Sequence, residues 1–301
     1  MSDKKNKVTR KLIAKNRDAY ILAAPFLLLF LAFTVVPTVL TVVMPFFSYD
    51  MVGFPKFSGL ENFRLLFTVG DEFSFALTNT AIIFLAVGLG GFVLSFAAAW
   101  GLEHLNKRAA DIFTAALFII SFVGTVTAAV WLSGGLRAPL NTLLLSMGLT
   151  AVPEDWLSNE NSALWCVIFS QIWTNFGIGF LALRAGFRCI DPEKTDAARL
   201  EGVRNPLWTL FNAQIPSFYP HIAFAAAVQL SYSLTNSEIL RILTGTSAND
   251  YGAYGIMTYI LSRGSEFDAG RVYAANLILL GIMWAVYAVV RIIINSLSKS
   301  V

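Results

Sequence analysis

The chain has 301 residues, of which 56% are hydrophobic and 14% charged, and a formal net charge of +3. A soluble domain carries about 25% charge, so this composition excludes an ordinary water-soluble fold. The positive balance follows from Lys and Arg gathered in the segments on one side of a membrane, and no nucleic-acid partner is expected from it.

Residues 1–18 form a basic tail with Lys4, Lys5, Lys7, Arg10, Lys11, Lys15 and Arg17. The charge-free run Ala19–Tyr49 is about twice the roughly 7–15 residue apolar region of a cleaved signal peptide, so it is expected to stay as a first span. Five further runs, Phe73–Leu102, Ile112–Leu136, Asn161–Leu183, Ser217–Ser237 and Val272–Val290, have the length of about 20 residues that crosses a hydrocarbon core. The expected fold is an all-α polytopic membrane protein of six transmembrane helices, with residues 19–297 as one membrane domain.

In the second run, Gly88, Gly91, Ser95, Ala98 and Ala99 make a small-residue stripe that lets another helix approach closely, most simply within the same chain. The third offers Ser121, Thr125 and Trp131 as polar or aromatic candidates. The loop Gly134–Glu160 contains LNTLLLSMGL, too short to span, which is expected to lie along the interface or against the bundle, with Trp156 at headgroup level. In the fourth run Gln171, Thr174 and Asn175 share a helical face and Trp173 points away from it. Cys166 and Cys189 are isolated and have no disulfide or metal spacing, so no metal site is expected.

Next comes DPEKTDAARLEG, residues 191–202, half of it charged in a greasy chain. Asp191 is placed as a helix cap with Pro192 at the first helical position, and Gly202 as a stop. The pattern repeats with Asn205 and Pro206, followed by LWTLFNAQ toward Pro216. The segment 190–216 therefore reads as helix, tight turn, helix. Alanines on the first of these helices allow close backbone approach by a partner protein, and its acids give directional handles.

The fifth run holds Gln229, Tyr232, Ser233 and Asn236 at offsets of 3, 4 and 7, which is one helical stripe. Ser231, Thr235 and Glu238 make a second stripe on roughly the opposite side. A regular helix cannot turn both toward one cavity. Polar groups within a span are costly and tend to face the bundle interior or a wet cavity, so the Gln229–Asn236 stripe is expected to line one. The competing expectation is plain inter-helix hydrogen bonding, worth about 0.6 kcal/mol per contact on average. After this run, Thr244–Asp268 is expected to be a polar, glycine-containing outer loop.

Basic residues orient the spans. With both termini cytoplasmic, only Lys56, Arg64, Arg137, Arg241, Arg263 and Arg271 fall on the outer side, and all the other Lys and Arg residues fall inside, in accord with the positive-inside rule. This places residues 191–204 on the cytoplasmic side.

DAARLEG, followed by QIP at Gln214–Pro216, resembles the cytoplasmic EAA loop of binding-protein-dependent ABC transporter permeases. FSGLENFRLLF at Phe57–Phe67, LNTLL with a later WL at Leu140–Leu157, ILTG at Ile242–Gly245 and RVYAAN at Arg271–Asn276 resemble the carbohydrate-importer branch, the maltose/glycerol-phosphate type. Asp196 stands where that family usually has Glu, Glu201 where it has Asp, and Val203 where it has Ala. The resemblance implies a type I importer-like permease bundle whose cytoplasmic coupling helix, through Asp196, Ala197, Ala198, Glu201, Gly202 and Pro216, docks on an ATPase. It also implies a second homologous permease subunit, a cytoplasmic ABC ATPase dimer, an extracytoplasmic solute-binding protein and a place in the bacterial cytoplasmic membrane. The sequence has no G-x-x-x-x-G-K-[ST] loop, so ATP and Mg are expected on the partner ATPase and no cofactor on this chain.

Hydroxyls and amides beside aromatic rings suit a neutral, multi-hydroxyl ligand such as a sugar or oligosaccharide. In the family, substrate contacts occur in these helices, and Thr174, Asn175, Ser233, Thr235 and Asn236 align near them. Thr125, Trp131, Gln171, Trp173, Gln229, Ser231, Tyr232 and Glu238 complete the expected pathway. Alternatives are a permease for glycerol phosphate, a polyamine or another small solute, an ion channel or ion-coupled carrier, or a polytopic membrane enzyme. The last needs clustered acid/base or metal groups, whereas His104 and His221 are isolated.

Overall fold

In lipid a backbone must satisfy its own hydrogen bonds, and the apolar runs do so as helices. The computed structural model describes residues 16–50, 53–69, 71–122, 134, 137–153, 155–157, 160–191, 193, 205–244, 253–264 and 268–299. The first span comprises α1 (Arg17–Phe30), a π-helical segment (Leu31–Val35) and α2 (Val36–Val43), closed by a 3-10 turn at Met44–Phe46. Pro37, at the start of α2, cannot donate to the preceding turn, and the π segment just before it absorbs the change of register. Two short antiparallel strands follow, β1 (Phe47–Ser48) and β2 (Lys56–Phe57), with Phe47 opposite Phe57. Then come α3 (Glu61–Thr68) and the second span, α4 (Glu72–Ile83), π segment Phe84–Gly90 and α5 (Gly91–Leu102).

The remaining helices are α6 (Lys107–Phe122), α7 (Arg137–Ser146), α8 (Glu160–Arg188), α9 (Pro206–Thr209), α10 (Ile215–Thr235), α11 (Glu238–Thr244), α12 (Ile256–Arg263) and α13 (Ala269–Lys299). Among the described residues, four stretches are long and apolar enough to cross a membrane: Asp18–Phe46, Glu72–Leu102, Ser162–Arg188 and Ala269–Ile293. They coincide with the first, second, fourth and sixth expected spans. The third is described only as far as Phe122. The fifth, α10, has 21 residues but is threaded with polar side chains and falls outside that apolar set.

The long helix α8 is central and packs against α5, α6 and α10. One apolar core, including Ala99, Phe180, Leu183, Phe187 and Phe218, joins these four helices. A second, with Leu66, Phe73, Ile256, Tyr259 and Ala275, ties α3, α4, α12 and α13 together. The expected outer loop 244–268 thus contains a buried helix: Ile256, Thr258, Tyr259 and Ile260 are inside. An eight-residue apolar helix is too short to declare itself by periodicity. It is seated by α4, where Thr80 Oγ1 accepts from the Ile256 amide at 2.9 Å and Asn79 Nδ2 donates to the Tyr254 carbonyl at 3.3 Å.

The loop between the first two spans is fixed by one buried side chain. Asn62 Nδ2 donates to the carbonyls of Pro45 (2.8 Å) and Phe47 (2.9 Å), joining α3 to the end of the first span. Gly270, at the start of α13, lies so close that a Cβ there would sit 2.7 Å from Asn62 Oδ1. Asn62→Ala removes both donors while the carbonyls stay buried, so it should cost about 1–3 kcal/mol and lower the thermal midpoint of the purified protein. An unchanged midpoint would show that water replaces the amide freely.

On the other loop, Trp156 Nε1 donates to Asn141 Oδ1 at 2.8 Å, so this indole is folded onto α7. Among the described cysteines, Cys166 is half-buried, Cys189 exposed, and both are free thiols.

Candidate functional site

The polar residues of α8 and α10 meet as a seam. Gln229 is wholly buried. Its Nε2 donates to Ser95 Oγ of α5 at 2.7 Å and to the Asn175 carbonyl of α8 at 3.3 Å. Asn175 Nδ2 returns a bond to the Gln229 carbonyl at 3.2 Å. About one turn away on α8, buried Gln171 donates through Nε2 to the carbonyl of Asn236, where α10 ends in an extended residue. Three helices are thereby cross-linked by side-chain amides in a low-dielectric setting, where such bonds are electrostatically strong. The amide oxygens Oε1 of Gln171 and Gln229 are buried and have no partner among the described residues.

Glycines make the seam close enough to bond. A Cβ on Gly179 would run into the Gln229 amide, and one on Gly177 into the Ser121 side chain. On the second span, a Cβ on Gly88 would lie 2.7 Å from Ser233 Oγ, so Gly88 and Ser95 serve packing within the chain, whereas a Cβ on Gly91 would meet nothing within 4 Å.

The two stripes of α10 separate. Gln229 and Ser233 are buried, Tyr232 and Asn236 half-buried, and Ser231 and Thr235 exposed. Ser233 spends its hydroxyl on the Leu230 carbonyl at 2.8 Å, Thr235 on that of Ser231 at 2.9 Å, and Thr174 on those of Ser170 and Gln171. Among the described residues the Gln229 end of this stripe closes helix against helix, as the competing expectation has it. Near its Asn236 end lies a space of about 10 Å³, lined by residues that include Thr80, Ser233, Asn236, Ser237 and Thr258. About one water-sized group fits such a volume. Thr258 Oγ1 there has no partner among the described residues.

Away from the seam, Trp173 is 46% exposed on α8. Ser231 lines a groove between α10 and α13 formed with Ala227, Leu230, Leu234, Met283, Val286, Tyr287 and Val290. Glu238 begins α11. Thr125 and Trp131 lie outside the described residues, as do Asp196, Ala197, Ala198, Glu201 and Gly202.

The flanks of that loop are described. Asp191 Oδ1 accepts from the Glu193 amide at 3.0 Å, and Asn205 Oδ1 caps α9 by accepting from Leu207 at 3.0 Å, with Pro206 in the first turn. The helix expected to stop before Pro216 instead runs on through a π segment, Leu210–Gln214, into α10. Half-buried Pro216 sits in the first turn of α10, where a missing N–H is tolerated. The bend comes later, at Phe218 (φ −131°, ψ 24°), two residues before Pro220. Phe218 packs on Phe187 and against Gly186, where a Cβ would lie 2.5 Å from its ring.

A charged cluster, unforeseen from spacing, closes the same end of the bundle. Arg184 of α8, its side chain 7% exposed, pairs with Glu103 just after α5, and Arg188 pairs with Asp111 of α6. The only trace in the sequence is a charge at the rim of two apolar runs.

No protein-family model matches the chain. It is 28% identical over 268 residues to a Bacillus subtilis protein described as a probable ABC transporter permease, YesP, covering 87% of this chain and 84% of that one. It is 24% identical over 259 residues to the arabinooligosaccharide transport system permease AraP of the same organism, covering 85% and 81%. It is also 26% identical over 244 residues to the xylose/arabinose import permease XacH of Haloferax volcanii, covering 79% and 75%. In fold it resembles a chain of a bacterial ABC transporter that imports the acidic polysaccharide alginate (TM-score 0.77, 20% identity, 96% of this chain and 98% of that one), and likewise a chain of the alginate transporter in complex with its alginate pentasaccharide-bound periplasmic protein (TM-score 0.78, 20% identity).

Proposed function

We propose that this chain, an ABC-transporter permease, is one of two transmembrane subunits of an ATP-driven importer for a sugar or oligosaccharide. The observation that carries the reading is end-to-end likeness: sequence similarity over 87% of the chain to one permease, and a shared fold over 96% of it with a subunit of a polysaccharide importer. Its neutral amides and hydroxyls suit a neutral polyhydroxyl solute better than a phosphate, which would want Lys or Arg within the spans.

In this reading six helices span the bacterial cytoplasmic membrane with both termini inside. The seam of Gln171, Asn175 and Gln229 is the frame, and solute passes along the surfaces that carry Trp173, Ser231 and Thr235, where a second permease chain closes the path. Tyr232, Asn236 and Thr174 stand at the edges of that surface. A solute-binding protein delivers from outside. ATP and Mg bind a separate ATPase dimer, whose closure pushes the coupling helix around Asp196–Gly202. The helical run from Asn205 through Pro216 into α10, bent at Phe218, supports this, because it joins the loop to the fifth span with no loop between them.

Gly202→Leu tests the scheme. Membrane insertion should be normal, while co-purification of the ATPase or substrate-stimulated ATP hydrolysis should fall at least about tenfold, or about 1.4 kcal/mol. Normal values for both would remove the docking role from this loop.

A further inference from the structure

Outside the spans, one strip of the loop between the first two exposes large apolar side chains: Phe54 is 94% exposed, Phe57 76% and Leu60 68%. In water such a contiguous patch is unfavourable and marks a contact. We infer that the strip Phe54–Leu60 is a membrane-surface anchor, seated in the lipid headgroup and upper acyl region of the leaflet where the first span ends.

Chain geometry carries the inference. The strand β1 begins at Phe47, the residue after the 3-10 turn that ends the apolar stretch Asp18–Phe46. Phe57 is the direct partner of Phe47, and their rings meet edge-to-face with centroids 5.6 Å apart. Paired strands lie about 4.8 Å apart, so Phe57 is held at the level where the span leaves the hydrocarbon. Phe54 is three residues from Phe57 and can stray at most about 10 Å from it. The interfacial layer on each side of the hydrocarbon is about 5–8 Å deep. The strip therefore cannot move far from the headgroups without breaking the pairing, and that pairing is fixed from behind by Asn62.

Lys56 lies within the strip and is exposed, while Arg64 in α3 pairs with Glu61. A lysine with an apolar stem beside aromatic rings suits a membrane–water interface. Phe46 stacks obliquely on Phe63, extending the aromatic edge onto α3.

The inference requires only that the first span cross a bilayer, so it can fail while the transport reading stands. The test uses the full chain in lipid nanodiscs, with Cys166→Ser and Cys189→Ser as background. Phe54→Cys and, separately, Leu60→Cys carry a nitroxide label, and power saturation compares access to oxygen with access to a soluble nickel chelate. Oxygen access exceeding nickel access several-fold at both sites is the expected result. Nickel access equal to or above oxygen access would overturn the anchor, showing a strip that faces water. A label shielded from both reagents would also overturn it, showing a strip covered by protein.

Discussion

Gly179→Ala will destabilise this protein, against the usual sign of that substitution. In a helix interior alanine is favoured over glycine by about 1 kcal/mol. Here the new Cβ would overlap the Gln229 side chain, which is walled in between α5, α8 and α10. To make room the amide must leave Ser95 Oγ and the Asn175 carbonyl. Overpacking costs about 1–3 kcal/mol and an unmade buried hydrogen bond about 1–3 kcal/mol, so after the helix gain of about 1 kcal/mol a net loss of about 1–5 kcal/mol is expected. Pairing Gly179→Ala with Gln229→Ala should recover part of the loss, because the methyl then has space. The measurement is a double-mutant cycle of thermal midpoints in detergent. A neutral or stabilising single substitution would mean that the seam is not closed as described.

The second large effect concerns Glu103. Glu103→Ala leaves the Arg184 guanidinium, its side chain 7% exposed, with Arg188 as its neighbouring charge; because Glu103 itself is 31% exposed, the expected cost is about 1–3 kcal/mol. Arg188→Ala breaks a pair whose side chains are 49% and 45% exposed, and water compensates, so about 0–1 kcal/mol is expected. Replacing both members of this half-buried pair, Glu103→Leu with Arg184→Met, should restore part of the lost stability, since the apolar pair leaves no unpaired charge beside the core. Equal effects of Glu103→Ala and Arg188→Ala on the thermal midpoint would refute the distinction between the two pairs.

The spans were legible because charge cannot be hidden in lipid: four charge-free runs reappear as membrane-length helices, with α8 running one turn further to carry Arg184 and Arg188. The two stripes of α10 were legible as well, since Gln229 and Ser233 fall inside and Ser231 and Thr235 outside. Their roles were not. Whether an amide lines a cavity or bridges helices depends on the carbonyls opposite, and those of Asn175 and Asn236 are set by packing across segments far apart in sequence. The π segments at Phe84–Gly90 and Leu210–Gln214 add a second obstacle, because each shifts the register that periodicity assumes to be constant. The helix α12 escaped for lack of length, and the Arg184–Glu103 pair because its partners stand on α8 and just after α5, with α6 and α7 between them in sequence.

The first span touches the rest of the molecule sparingly. None of its most apolar window is buried within the chain, and its main neighbour is α13, more than 200 residues downstream. During synthesis this helix enters the bilayer long before its neighbour exists. It must persist as a free-standing element solvated by lipid, and its docking belongs to the closing stage of folding. Damage to α13 therefore strands the amino-terminal helix without unseating it from the membrane.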